Sequence, residues 1–447
     1  MNTPGLSLRD GLLYGALGLP LAFVALPLYV VLPNHYARAF GVPLATLGAL
    51  LLAARLLDAC IDPLLGRLSD RLFGRSIRSV LFAGAVAALA LAAGFAALFF
   101  PPVRAIDGLL VWAAVALVLT YTAYSLLSIT HQAWGSMLGG DEVQRSRVVA
   151  WREGLGLVGV VLASLAPALL GLPAAAVIFT ICLALGWGAW TRAPRPKPAM
   201  RAPGASPATV SVLAPQPEAS AHTAALWHPF TRPAFRRLLT VFVLNGIASA
   251  IPATLVLFFV QDRLQAPPAL EPAFLGLYFV SAALSLPLWM RAVRHWGLAR
   301  TWLAGIVLAV AVFAWAATLG TGEADLFLIV CALSGVALGT DLALPGALLA
   351  GVIHANGDRG RAEGAYFGWW NFAVKLNLAL AAGLALPLLA LAGYTPGTRD
   401  PQALQALTLA YCALPCALKL LAGGALFSLV IRPTAIPSAS SPLRSTP

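Results

Sequence analysis

The sequence predicts an all-α membrane protein with twelve transmembrane helices in two sets of six and both chain ends on the cytoplasmic side. Three observations predict it. Of the 447 residues, 60% are hydrophobic and only 10% charged, against about 25% charged in soluble domains. Apolar runs long enough to cross a bilayer, about 20 residues each, recur along the chain. The basic residues cluster between the runs, and mostly between alternate ones.

In chain order the runs cover 11–32, 44–66, 78–100, 108–134, 150–170, 173–191, 237–260, 272–290, 300–319, 326–353, 364–392 and 403–431. The first is too long for a signal peptide and has no small-residue cleavage site behind it, so it reads as a span. Spans five and six are joined only by Gly171-Leu172-Pro173 and form a hairpin. Trp112, Trp227 and Trp302 stand near span ends, where aromatic rings suit the membrane interface. With the N-terminus inside, 22 of the 29 basic residues fall in inner segments. Only Arg38, Arg104, Arg263 and Arg399 fall outside, and Arg55, Lys375 and Lys419 lie within spans. A miscounted span would invert every later segment, so this bias supports both the count and the orientation.

Residues 192–236 interrupt the pattern with a Pro-, Ala- and Ser-rich stretch, read as a flexible cytoplasmic linker. It separates an N-terminal bundle, 1–191, from a C-terminal bundle, 237–432, and a disordered tail covers 433–447. The net charge of +12 is spread over short inner segments, which excludes a nucleic-acid face. All five cysteines lie in apolar segments without metal-site spacing and read as small apolar side chains. No metal cluster or nucleophile–base motif interrupts the spans, so an enzyme is not expected.

Ionisable residues far from span ends cost several kcal/mol unless paired or facing a cavity. Span two holds Arg55, Asp58 and Asp62, whose three- and four-residue offsets put them on one helix face. Two carboxylates one turn apart call for a proton, a metal ion or a base between them. Lys375 in span eleven lies about 16 Å beyond the inner end at 1.5 Å per residue, past the reach of snorkelling. Asp341 in span ten is the first candidate partner for Lys375, with Asp58 as its competitor. Trp370 and Asn371 precede Lys375, and Lys419 in span twelve reads as packed or snorkelling.

Span four presents a polar stripe of Tyr121, Ser125, Ser128 and Gln132 that suits an aqueous path. His131 beside it reads as a satisfied histidine or a proton relay. Arg152, next to Glu153, starts span five, and Asn245 in span seven faces either substrate or a neighbouring helix. Residues 66–75 read as a glycine-bounded turn of the inner gate, with Asp70, Arg71 and Arg75, in which Asp70 pairs with arginines or caps the next helix.

These residues resemble a known family. Gly66 to Arg75 is similar to the loop signature of the major facilitator superfamily, and the chain is expected to share that fold. Arg55 to Pro63 resembles the second-helix signature of the glycoside–pentoside–hexuronide:cation symporters, the melibiose permease group. The run from Arg145 to Arg152, and Lys375 ahead of Gly393 and Tyr394, fit the same group.

The resemblance implies a Na⁺- or H⁺-coupled symporter of a small, sugar-like solute, working by alternating access. Asp58, Asp62 and Ser125 would form its cation site, and Arg152 and Lys375 would lie at the cavity. The fuller cavity expectation is Arg55, Tyr121, Ser128, Gln132, Arg152, Asn245, Asp341, Trp370, Asn371 and Lys375. Ile61 stands where the melibiose permease has an amide, Ser128 where it has a sugar-binding carboxylate, and Gln132 where it has an aromatic ring. A proton-driven exporter, or a carrier of an amphiphilic, lipid-like compound, is the alternative on the same fold. No cofactor beyond the coupling ion is expected. The partners are a small solute and membrane lipid, and the protein is expected to be monomeric in a bacterial inner membrane.

Overall fold

A computed structural model describes residues 6–196 and 226–435. Twelve helical passes account for nearly all of them. Helix α1 is built from Leu8–Gly15, Gly18–Leu26, the π-turn Pro27–Val31 and Leu32–Phe40. Then come α2 (Leu44–Arg75), α3 (Ile77–Phe99) and α4 (Ile106–Leu138). Helices α5 (Glu142–Pro167) and α6 (Leu169–Thr191) fold back on each other at Gly171, whose φ of 83° only glycine adopts without strain. Helix α7 is Pro233–Phe258 with a π-turn at Phe259–Arg263. The stretch Glu271–Ala316 divides at Gly297 into α8 and α9. Helices α10 (Ala324–Ala355) and α11 (Glu363–Leu391) follow, and α12 runs from Pro401 to Ala435 through π-turns. Among the described residues nine stretches are long and apolar enough to cross a membrane, one of them holding both α8 and α9. Helices α2 and α11 complete the twelve.

Two boundaries differ from the sequence expectation. Residues 66–75 are not a turn: α2 stays helical through Arg75, and the chain reverses at extended Ser76, whose Oγ caps α3 through the Ser79 amide. Arginine and leucine are good helix formers, and they outweigh Gly66 and Gly74. Helix α7 starts at Pro233, inside the expected linker, because proline at the first helical position loses no hydrogen bond. Just before it, His228–Thr231 forms a 3₁₀ turn held by Asp358, which accepts from His228 Nε2 at 3.1 Å and Arg232 Nη2 at 3.0 Å. The expected flexibility at 197–225 and the expected tail at 436–447 lie outside the described residues. Trp302, expected at the membrane interface, is fully buried.

The apolar cores show how the passes assemble. One core lies wholly within the N-terminal half, and in it Phe179 stacks on Phe23 and meets Phe95 at a tilt. Another lies wholly within α7–α12, around Phe259, Phe327 and Tyr411. A third joins the halves at the end carrying the arginine-rich connections, where Leu65, Ile129, Met137 and Val149 meet Leu349, Ile353, Tyr366 and Phe367. Close approach there depends on small residues, as in membrane helix pairs generally. A Cβ on Gly66 would strike the carbonyl oxygen of Gly364, and one on Gly364 would strike that of Gly66. Helices α2 and α11 therefore cross almost backbone to backbone, just below Asp62.

Candidate functional site

Asp58 and Asp62 stand one turn apart on α2 and are both buried. Because α11 packs on α2, Lys375 projects between the two carboxylates. Its Nζ lies 2.6 Å from Asp58 Oδ2 and 2.8 Å from Asp62 Oδ2, and it donates to Asp62 Oδ1 at 2.8 Å. Ser125 Oγ on α4 accepts from Lys375 Nζ at 2.8 Å and donates to Asp58 Oδ1 at 2.9 Å. The three side chains expected to hold a cation thus converge on one point, and a tethered ammonium occupies it. Two carboxylates facing one ammonium carry one net negative charge, inside a medium that makes charge expensive. Arg55, one turn earlier, forms no direct ion pair with either carboxylate among the described residues. Its guanidinium lies over the Tyr29 ring, 3.9 Å from the centroid, a cation–π contact.

Lys375 therefore pairs with Asp58 and Asp62, not with Asp341. Helices α10 and α11 are neighbours in sequence only: α10 packs on α8 and α9, while α11 packs on α2, α4 and α7. Asp341 has a different lysine. Lys419 on α12 is buried, and its Nζ donates to Asp341 Oδ2 at 3.0 Å and to Asn245 Oδ1 at 2.9 Å. Asp341 also accepts from Asn245 Nδ2 at 3.0 Å, Trp302 Nε1 at 2.8 Å and Ser249 Oγ at 3.3 Å. Lys419 is thus a buried partner of a carboxylate, where the sequence reading had it packing or snorkelling. Its position deep in an apolar span was the available signal.

Between the two charge clusters lies a central cavity of about 310 Å³. Of the residues expected at a substrate cavity, Ser128, Gln132, Arg152, Asp341, Trp370 and Asn371 line it, and Glu153 and His131 join them. Gln132 Nε2 donates to Ser128 Oγ at 2.8 Å and to Asn371 Oδ1 at 3.3 Å, so the polar face of α4 meets that of α11. Arg152 is bonded to Glu153 through Nε at 3.0 Å and Nη2 at 2.6 Å. Trp370 stacks on Phe242 with centroids 3.7 Å apart. His131 Nε2 contacts the Tyr14 carbonyl oxygen at 2.8 Å, while its buried Nδ1 has no hydrogen-bond partner among the described residues. Arg55, Tyr121, Asn245 and Lys375 lie outside this lining: Lys375 closes the cation cluster and Asn245 the Asp341 cluster.

Towards the arginine-rich end the cavity is sealed by pairs that cross between the halves. Asp70 accepts from the amides of Gly364 at 2.6 Å and Ala365 at 2.9 Å, capping the N-terminus of α11, which has no side-chain cap of its own. Burial pushes the Asp70 carboxyl up to about 8, against the pull of those two amides. Glu142 Oε2 accepts from the Leu298 amide at 2.9 Å at the start of α9, and Arg359 Nη2 donates to the Met137 carbonyl at 2.8 Å. Glu142 and Arg359 were not foreseen, because each bonds to backbone that no side-chain pattern reveals. Asp358 stays ionised: despite burial, bonds from Arg232, Tyr366 and His228 hold it below the usual carboxylate range.

Twelve passes with a cavity between two halves and buried charges around it are the arrangement of the major facilitator fold. Solved structures agree on the fold. The chain matches a bacterial homologue of the iron transporter ferroportin in its outward-facing state with TM-score 0.67 and 16% identity, over 95% of this chain and 99% of that one. It matches the Escherichia coli fucose:proton symporter with TM-score 0.65 and 14% identity, over 93% and 98%. Residues 13–431 match the model of the MFS/sugar transport protein family, and the chain belongs to that family, which is one of transporters and not enzymes. Among curated relatives, Inner membrane symporter YicJ of E. coli K12 is 31% identical over 136 residues, 29% of this chain and 28% of that protein. Putative glycoside/cation symporter YagG of the same organism is 28% identical over 177 residues, 39% and 36% of the two. The matched stretches span only about a third of these relatives.

Proposed function

We propose that the protein is a cation-coupled symporter that carries a small glycoside-like solute across a bacterial inner membrane, as a monomer. One observation carries this reading: Asp58, Asp62 and Ser125 converge on the ammonium of Lys375. A Na⁺ ion or a proton arriving at the carboxylates replaces part of what Lys375 supplies and weakens its hold. Because Lys375 sits on α11 and the carboxylates on α2, that exchange alters the bond between the halves. Cation binding and the rocking of 1–191 against 237–432 are then linked, as alternating access requires. The cluster offers a hard cation carboxylate oxygens and a hydroxyl, and Ile61 in place of an amide leaves it one side-chain oxygen ligand fewer.

The solute site in this reading is the central cavity. Gln132, Asn371, Arg152 and Glu153 provide donors and acceptors for hydroxyls, and Trp370 provides a flat apolar face. The names of the matched relatives, a symporter and a glycoside/cation symporter, point the same way. A second reading, a proton-driven exporter or carrier of an amphiphilic compound, draws on the apolar cavity beside Asp341 and Lys419. Purified protein in proteoliposomes separates the two. An inward Na⁺ or H⁺ gradient should drive uphill accumulation of a radiolabelled glycoside identified by ligand-induced thermal stabilisation. Expulsion of the solute against an inward proton gradient would instead establish the exporter.

A further inference from the structure

Asp341 lines two cavities. One is the central cavity; the other, of about 290 Å³, lies among α7, α8, α9, α10 and α12 of the C-terminal half, with Leu26 of α1 on its wall. It runs from the Asp341–Lys419 pair towards the end opposite the arginine-rich one. Its walls are largely apolar and include the rings of Phe274, Tyr278, Phe279, Phe313, Phe327 and Tyr411. The charged pair stands at its deep end. A lysine ammonium carries three donors, and among the described residues two are engaged, by Asn245 and Asp341. One remains for a ligand atom at the cavity wall.

A bare polyol has no reason to enter such a space, since each hydroxyl left without a partner costs at least about 1 kcal/mol. An engineered apolar cavity of about 150 Å³ holds benzene, and this one is about twice that size. Pockets with apolar, aromatic walls and a few convergent polar groups are the ordinary form of small-molecule sites. We propose that this cavity is a second subsite of the carrier, which takes the apolar, ring-sized part of an amphipathic solute. The polar head of that solute occupies the central cavity, and Asp341 and Lys419 form the polar collar between the two parts. This inference rests on the carrier reading above and narrows its substrate class to solutes with a polar head and an apolar group, such as aryl glycosides. It also gives the buried pair a role beyond holding α7, α10 and α12 together.

The cavity contains its own reporters, because Cys331 and Cys416 line it while Cys60 and Cys182 lie elsewhere. Full-length protein in lipid nanodiscs is alkylated with N-phenylmaleimide, and each cysteine is followed by peptide mass spectrometry. Phenyl β-glucoside should slow alkylation of Cys331 and Cys416 several-fold without slowing Cys60 or Cys182, and methyl β-glucoside should not. Benzyl alcohol, which has the ring and no sugar, should protect the same two thiols at higher concentration. In Ala253→Phe, where a ring fills the cavity wall, the added aryl compounds should make no further difference. Protection by benzyl alcohol alone supports the subsite and faults the glycoside head of the proposed function. Equal protection of all four thiols, or none at Cys331 and Cys416 by either aryl compound, overturns the subsite.

Discussion

Lys375 and Lys419 both sit in the middle of spanning helices, yet they stand in different charge balances. Lys375 faces two carboxylates and Lys419 faces one. Removing Lys375 leaves two like charges one turn apart, which drives up the affinity of that pair for any cation or proton. In Lys375→Gln, Na⁺ or mild acid should therefore stabilise the protein more than it stabilises wild type, as a larger thermal shift. At 100 times the dissociation constant the stabilisation is about 2.7 kcal/mol. Lys419→Met strands Asp341 with neutral donors and should cost on the order of 3 kcal/mol in a denaturation measurement. Adding Asp341→Asn should recover much of that loss. The sequence marked the buried charges, because a charge in an apolar run is visible by itself. It did not mark which lysine meets which aspartate, since that depends on which helices touch, and Asp341 and Lys375 lie on helices adjacent only in the chain.

At the scale of elements, α2 and α11 carry the site and the seal beneath it. Their crossing at Gly66 and Gly364 leaves no room for a side chain. Gly66→Leu should force the helices apart and favour the state open at the arginine-rich end. The expected result is faster maleimide labelling of an Ala133→Cys reporter, a position fully buried in the core that joins the halves there. Unchanged labelling would show that this crossing does not hold the seal. Hydropathy made all twelve passes legible, and the basic bias ordered them. What it could not show was where helices outlast the membrane. Residues 66–75 look like a polar turn, yet they continue α2 because their arginines and leucines favour helix and Asp70 has an α11 terminus to cap.

For the whole molecule, the closed seal buries a carboxyl that an open one returns to water. Asp70 titrates near 8 when buried and near 3.9 when exposed. Between those values the closed state binds a proton that the open state releases, so lowering the pH favours closure. Labelling of the Ala133→Cys reporter should fall as the pH drops from about 8 to about 6, and Asp70→Asn, which accepts without titrating, should flatten that dependence. The assembly of the halves was legible as a six-plus-six pattern with a polar stripe on α4. The partition of that stripe, Ser125 to the cation cluster and Ser128 with Gln132 to the cavity, emerges only when α11 is in place. The central claim is that the Asp58–Asp62 cluster ties cation movement to solute movement. Its most direct test compares uphill accumulation with equilibrium exchange of the same labelled solute in proteoliposomes, for wild type and Asp62→Asn. The account predicts that the variant keeps exchange and loses gradient-driven accumulation. Accumulation at the wild-type level in Asp62→Asn would contradict it.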